Sequence, residues 1–158
     1  MATTVLNASL TVTISDSVVL NGQTYGNTNT LTVAAIDEVY SRVVEVPTGA
    51  FTDVLQLGST GQGALAAANV KYIRVTNLDN SSSVNLKVFG TDSMVISLQP
   101  GKSFILGGGG FDAAKSDDIE YSGATGEGEI PVAHNTAFVI SAEAVTTACD
   151  IEVFAASI

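Results

Sequence analysis

Four short segments between residues 71 and 106 constrain the fold most strongly, because apolar and polar residues alternate within each of them. In the first, Ile73 and Val75 fall on one face, and Arg74 and Thr76 fall on the other. A period of two is typical of a β-strand with one buried face. The segments are separated by turn-forming residues, NLDNS at 77–81, GTD at 90–92 and PG at 100–101. This stretch therefore predicts four consecutive strands at the centre of a sheet.

Further strand patterns flank the central stretch. They occupy residues 2–20, 38–46, 52–57, 137–142 and 150–155. Asn21-Gly22 predicts a two-residue hairpin turn, although the polar residues 22–33 that follow are equally compatible with a longer loop. Residues 63–69 have helical propensity but are too few to form an independent helix, and a short helical turn is predicted at 112–116. About eight to ten short strands predict an all-β fold, either an antiparallel β-sandwich or a jelly roll.

Chain length and patterning indicate a single domain over residues 1–158, with residues 1–8 as an extended N-terminal arm. The net charge of −10 argues against nucleic-acid binding, because phosphate contacts require clustered Lys and Arg. Cys149 is the only cysteine and cannot form an intramolecular disulfide, which is compatible with folding in a cytoplasm. Neither a signal peptide nor a membrane-spanning segment is indicated, so we expect a protein that does not bind membranes.

Few motifs in the chain could carry chemistry. The run Gly107–Gly110 lacks the order of a phosphate-binding loop, and the carboxylates Asp112, Asp117, Asp118 and Glu120 lack the spacing of an EF-hand. His134 is the only histidine, and no nucleophile elbow accompanies it. Nothing near Cys149 would lower its thiol pKa, so we interpret it as a buried structural cysteine. The sequence thus predicts no catalytic residue, metal ligand or cofactor, and the protein is not expected to be an enzyme.

Three basic residues on predicted strands or turns, Arg74, Lys87 and Lys102, could share one sheet face if neighbouring strands align. They would then form a positive patch on an acidic protein, suited to an acidic partner or to another copy of the chain. The competing interpretation is ordinary charge alternation on an exposed face.

The segments KYIRVTNLDN, VNLKVFG and LQPGKSFIL together resemble a pattern found in small virion structural proteins of tailed bacteriophages, especially those of marine and cyanobacterial hosts. RVVEVPT at 42–48 and the closing DIEVFAAS are similar to that pattern as well. The resemblance covers about half of the chain. It implies a non-enzymatic β-sandwich on the surface of a virus particle, first as a capsid decoration or cement protein and second as a tail or neck component.

From the resemblance we expect the protein to dock on the major capsid protein. We also expect it to form a homo-oligomer, of which a trimer is one candidate. The alternative is a fibre component that acts as a receptor- or carbohydrate-binding module. We expect contacts from the arm at residues 2–8 and from loops at 22–30 and 111–129. The candidate contact residues are Thr3, Val5, Asn7, Tyr25, Asn27, Arg74, Lys87, Lys102, Phe111 and Asp112.

Overall fold

The computed structural model describes residues 6–58, 65–66, 69–89, 93–107 and 138–158. Within these ranges the chain forms twelve strands and no helix. The strands are β1 (Ala8–Ser15), β2 (Val18–Leu20), β3 (Gln23–Tyr25), β4 (Thr28–Ile36), β5 (Glu38–Val46), β6 (Thr52–Gln56), β7 (Val70–Asn77), β8 (Val84–Phe89), β9 (Ser93–Leu98), β10 (Ser103–Gly107), β11 (Val139–Ala144) and β12 (Cys149–Ser157). All pairings between these strands are antiparallel, so the predicted all-β antiparallel fold is confirmed.

Two four-stranded sheets form a sandwich-like body. The first sheet has the order β10-β7-β12-β5 and the second has the order β6-β11-β8-β9. Alternate side chains from both sheets meet in one hydrophobic core, as the period of two requires. Its fully buried large members include Ile73 and Ile151 from the first sheet and Leu86 and Ile140 from the second.

The four strands predicted between residues 71 and 106 are all present, but they do not lie in one sheet. β7 and β10 belong to the first sheet, whereas β8 and β9 belong to the second. Within this stretch the chain crosses from one sheet to the other twice, once between β7 and β8 and once between β9 and β10. Alternation specifies which face of a strand is buried but not the sheet in which the strand lies, so the prediction of a single sheet centre is wrong.

β12 lies inside the first sheet and pairs along its length with both β5 and β7. Ile151, Val153 and Ala155 face the core. Cys149 at its start is buried, as predicted. Burial raises the pKa of the Cys149 thiol, and the nearby carboxylates of Asp79 and Asp150 raise it further. The thiol is therefore held in its neutral, unreactive form.

A buried asparagine ties the β7–β8 connection to the body. The side-chain amide of Asn77 donates to the carbonyl oxygens of Ser82 at 2.9 Å and Leu98 at 3.2 Å. Its side-chain oxygen accepts the Asp79 N–H at 3.0 Å, and the Asp79 carboxylate accepts the N–H of Ser81 at 2.7 Å. The NLDN segment that carries the resemblance is therefore a structural hub of the fold.

The Asp79 carboxylate should make the protein less stable at acid pH. Backbone N–H groups of Ser82 and Ser81 hydrogen-bond the carboxylate and lower its pKa in the folded state. Because the folded pKa lies below the unfolded value of about 3.9, the stabilisation is present above that value and is lost as pH falls through the folded pKa. We expect the difference in unfolding free energy between wild type and Asp79→Ala to shrink between about pH 6 and about pH 3.

Urea denaturation at both pH values measures this difference. Asn80→Ala is the matched control, because Asn80 is exposed in the same loop and does not titrate. Its small effect should be the same at both pH values. A difference for Asp79→Ala that stays constant with pH would contradict the assigned role of the carboxylate.

Candidate protein-docking site

Residues 8–36 form a long antiparallel ribbon outside the two sheets of the body. β1 and β4 pair from Leu10↔Val33 to Ser15↔Thr28, and the short strands β2 and β3 pair beyond them. Asn21 and Gly22 join β2 to β3 with φ angles of 51° and 78°. These angles are typical of the type I′ turn that Asn-Gly favours, so the hairpin predicted from this dipeptide is confirmed.

Between the two hairpin parts of the ribbon, the two backbones approach closely. The Asp16 N–H donates to the Asn27 carbonyl at 2.9 Å. The Asn27 side chain accepts the Thr28 N–H at 2.9 Å. A side chain at Gly26 would collide with the Asp16 carbonyl oxygen, so only glycine fits there. Asn27, a candidate contact residue, thus lies at this close approach.

The base of the ribbon is anchored on the outer face of the first sheet. A second hydrophobic cluster forms there from Ile36, Leu10, Val12 and Val33 of the ribbon with Tyr72, Phe154 and Ala156 of the sheet. The rings of Tyr72 and Phe154 meet edge to face at 6.0 Å. Further out, Leu31 reaches β10, where a Cβ on Gly107 would lie 3.4 Å from its methyl group. The ribbon therefore crosses the sheet from the start of β5 to the end of β10.

A β-bulge lies where the ribbon leaves the body. Ala8 pairs with Ile36 and Leu10 pairs with Val33, so Ser9 faces both Ala34 and Ala35. Ala35 has a φ of 63°, in the left-handed region that costs a residue with a side chain about 1–2 kcal/mol. A bulge adds local twist and bends the strand, which redirects the ribbon at this point.

The tip beyond this close approach is apolar, exposed and almost uncharged. Val18, Leu20 and Tyr25 have exposed fractions of 58%, 60% and 51%. Val18 and Leu20 share one face of β2, and Tyr25 lies opposite Val18 in the register, so the three side chains form one patch. No tip residue belongs to either hydrophobic cluster of the described chain. Asp16 is the only charged residue between positions 8 and 36 of a chain with a net charge of −10.

The basic residues do not form the common patch predicted for them. Arg74 lies on the outer face of the first sheet, bonded to Glu152 at 2.7 Å and stacked over Phe154 at 5.6 Å. Lys87 lies on the outer face of the second sheet, 5.6 Å above the Phe51 ring. Lys102 is exposed in the turn between β9 and β10. Arg74 and Lys87 belong to opposite layers of the sandwich, so the hypothesis that the three share one face, which was the alternative to ordinary charge alternation, is wrong.

The other candidate residues divide between the ribbon and undescribed parts of the chain. Asn7 is exposed immediately before β1. Thr3, Val5, Phe111 and Asp112 lie outside the described residues, as do His134, the loop at 111–129 and the acidic cluster. The contact loop predicted at 22–30 is the outer half of the ribbon. Sequence reasoning missed β4, because its Asn and Thr residues follow a Gly-rich segment and suggested a loop. The alternation of Leu31, Val33 and the flanking threonines was the available signal.

A small open cleft lies between the exposed margins of β5 and β6. It has a volume of about 220 Å³ and is lined in part by Tyr40, Arg42, Asp53 and Leu65. The Asp53 carboxylate accepts a hydrogen bond from the buried Ser141 hydroxyl at 2.7 Å, so it is already engaged in the body. Pockets for drug-sized ligands have volumes of about 300–1,000 Å³. The cleft is therefore a weaker candidate than the ribbon.

Within the described ranges, no group of three or more His, Cys, Asp or Glu side chains is arranged to hold a metal ion. No helix in that part of the chain is long and apolar enough to cross a membrane. Comparison of the chain with protein-family models, with curated proteins and with solved structures finds no match.

Proposed function

We propose that this protein is a non-enzymatic structural component of a bacteriophage particle, which docks on the major capsid protein as a decoration or cement protein. The observation that carries the proposal is the apolar tip of the ribbon, Val18, Leu20 and Tyr25, which the body of the protein does not bury. Large side chains left in water on a projecting element mark an interaction surface. The resemblance of residues 70–106 to phage virion proteins is the reason for proposing a bacteriophage particle.

The dimensions of the ribbon suit a bridging role. Val12 is the last residue of β1 that packs on the body. Residues 13–21, which lead from there to the tip, span at most about 30 Å when extended. That reach allows the body to rest on one capsid subunit while the tip contacts its neighbour. A contact of this kind adds buried area between subunits that must be broken before they separate.

The energetics of the tip suit a repetitive surface better than a single strong site. Full burial of one such side chain contributes about 1.5–3 kcal/mol. Three half-exposed side chains therefore offer roughly 3 kcal/mol before the entropy cost of association. Binding by one tip is weak, but a lattice of identical sites raises the effective concentration of each further contact.

Charge favours the ribbon over the body as the contact surface. An acidic protein is repelled by another acidic surface. The ribbon carries Asp16 as its only charge, so its tip can approach a partner with little repulsion. The alternative role, as a receptor- or carbohydrate-binding module, predicts exposed aromatic side chains in a concave site. Tyr25 lies instead on a projection, which favours docking on a protein.

The test uses purified heads that lack this protein, incubated with the wild type, with Val18→Lys/Leu20→Lys, or with Val39→Lys/Val43→Lys. The control pair adds the same charge on β5 of the body, at residues with matched exposures of 56% and 58%. Cryo-electron microscopy counts the copies bound to each head. We expect full occupancy for the wild type and the control, and at least about a tenfold weaker affinity for the tip variant.

Three outcomes would overturn parts of the proposal. Equal occupancy by the tip variant would exclude the ribbon as the docking element. Wild-type protein that binds purified tail fibres but not heads would support the alternative. Wild-type protein that binds neither heads nor tails would exclude a virion role. Thermal unfolding of the variants should match the wild type, because no substituted residue is buried.

A further inference from the structure

The strand β9 lies at an edge of the second sheet, and its residues do not discourage pairing with a further strand. Among the described strands it pairs only with β8. An edge strand presents unpaired backbone N–H and C=O groups that can accept another strand. β9 has the sequence SMVISL, with no charged residue, proline or glycine to discourage such pairing.

The other three edges carry features that discourage pairing. β5 contains Glu38, Arg42 and Glu45, and β6 contains Asp53. β10 has five residues, and Leu31 of the ribbon approaches it at Gly107. On β9, by contrast, Met94 and Val95 are exposed on opposite faces of the strand. β9 is therefore the edge best suited to strand addition.

We propose that β9 pairs antiparallel with β9 of a second copy of this chain, about a two-fold axis at Val95. In this register Val95 faces Val95 of the second copy on the outer side of the sheet. Met94 then faces Ile96 on the core side, because residues of the same parity share a face. The two second sheets join into one continuous eight-stranded sheet.

The lack of negative charge along β8 and β9 is compatible with a second copy of the chain as the partner of β9. The described residues of β8 and β9 carry one charge, on Lys87, whereas the chain has a net charge of −10. Two acidic molecules can thus meet along β9 without carboxylates of either strand facing one another. The pairing is also self-complementary, since residues 93–97 of one strand meet residues 93–97 of the other and none of them is charged.

The expected dimer is weak. In this register residues 93–97 of the two strands pair over about 17 Å, and an interface of that length falls below the roughly 1,000 Å² that stable complexes bury. The inference does not depend on docking to a capsid. It yields a dimer, which differs from the trimer expected from the resemblance.

Sedimentation equilibrium between about 1 μM and about 1 mM tests the pairing with wild type, Val95→Lys and Val39→Lys. Val39 is the matched control, because it is 56% exposed on the edge strand β5 and Val95 is 55% exposed. Wild type and Val39→Lys should dimerise within this range. Val95→Lys places two lysines opposite each other and should weaken the dimer at least about tenfold.

A covalent trap gives a second readout with a nearly isosteric change. Directly opposite residues have Cβ atoms about 4.5–5.5 Å apart, close enough for a disulfide after small adjustment. Val95→Cys should therefore form a disulfide-linked dimer under mild oxidation, while Val39→Cys should not. Cys149 is buried and does not compete. Wild type that remains monomeric up to about 1 mM, or a dimer unaffected by Val95→Lys, would overturn the inference.

Discussion

Replacement of Asn77 by leucine is expected to lower the free energy of unfolding by about 3 kcal/mol. Asn77 is fully buried, and its side chain makes three hydrogen bonds, to the carbonyls of Ser82 and Leu98 and to the Asp79 N–H. Leucine has a similar volume but leaves these backbone groups without partners in the protein interior. The cost arises mainly from the unsatisfied groups, because each loses water on folding without regaining a hydrogen bond.

Urea denaturation and thermal melting measure this effect, and the melting temperature should fall by roughly 6–12 °C. Asn80→Leu provides the control, since Asn80 is exposed three residues away in the same loop. It should change the unfolding free energy by less than about 0.5 kcal/mol. A loss below about 1 kcal/mol for Asn77→Leu would mean that the hub does not stabilise the loop as its geometry indicates.

Leu86→Ala is expected to lower the unfolding free energy by about 3–5 kcal/mol. Leu86 is fully buried on β8, in the interior of the second sheet, and its removal leaves a cavity between the two sheets. The same substitution at Leu20, which is 60% exposed at the ribbon tip, should change the free energy by less than about 0.5 kcal/mol. Denaturant titration of both variants measures the contrast.

Comparison of Leu86→Ala with Leu20→Ala shows whether the apolar tip contributes to stability. If Leu20→Ala leaves the unfolding free energy unchanged, the folded body does not need the apolar tip, as the proposed docking role requires. A destabilisation by Leu20→Ala close to that of Leu86→Ala would show that the tip packs against the body. That result would remove the main support for the proposed docking role.

Local patterns in the sequence predicted most individual strands. β5 occupies the predicted residues 38–46, and all four strands of the central stretch are present. Asn21-Gly22 predicted its turn because Asn and Gly tolerate positive φ better than other residues do. These features depend on neighbouring residues in the chain, so a single sequence contains the information needed to predict them.

The candidate site was predictable only in fragments. The loop assigned to residues 22–30 contains Tyr25 and Asn27, which lie on the ribbon, but β4 was not recognised as its second strand. Burial also escaped prediction, because Val18 and Leu20 have the same alternation as core positions. Such alternation shows that two residues share a face, but it does not show whether another layer covers that face.

Sequence alone therefore determined the all-β class, most strand positions and the burial of Cys149, and it offered the hairpin turn at Asn21-Gly22 as one of two equal alternatives. Only the tertiary structure decided that the central stretch divides between two sheets, that Arg74 and Lys87 lie on opposite faces, and that residues 8–36 leave the body as a ribbon. The physical reason is the distance along the chain between the interacting residues. Alternation and turn preferences arise from contacts along a few residues, whereas sheet order and exposure depend on pairings between distant segments, such as β12 with β5 and β7.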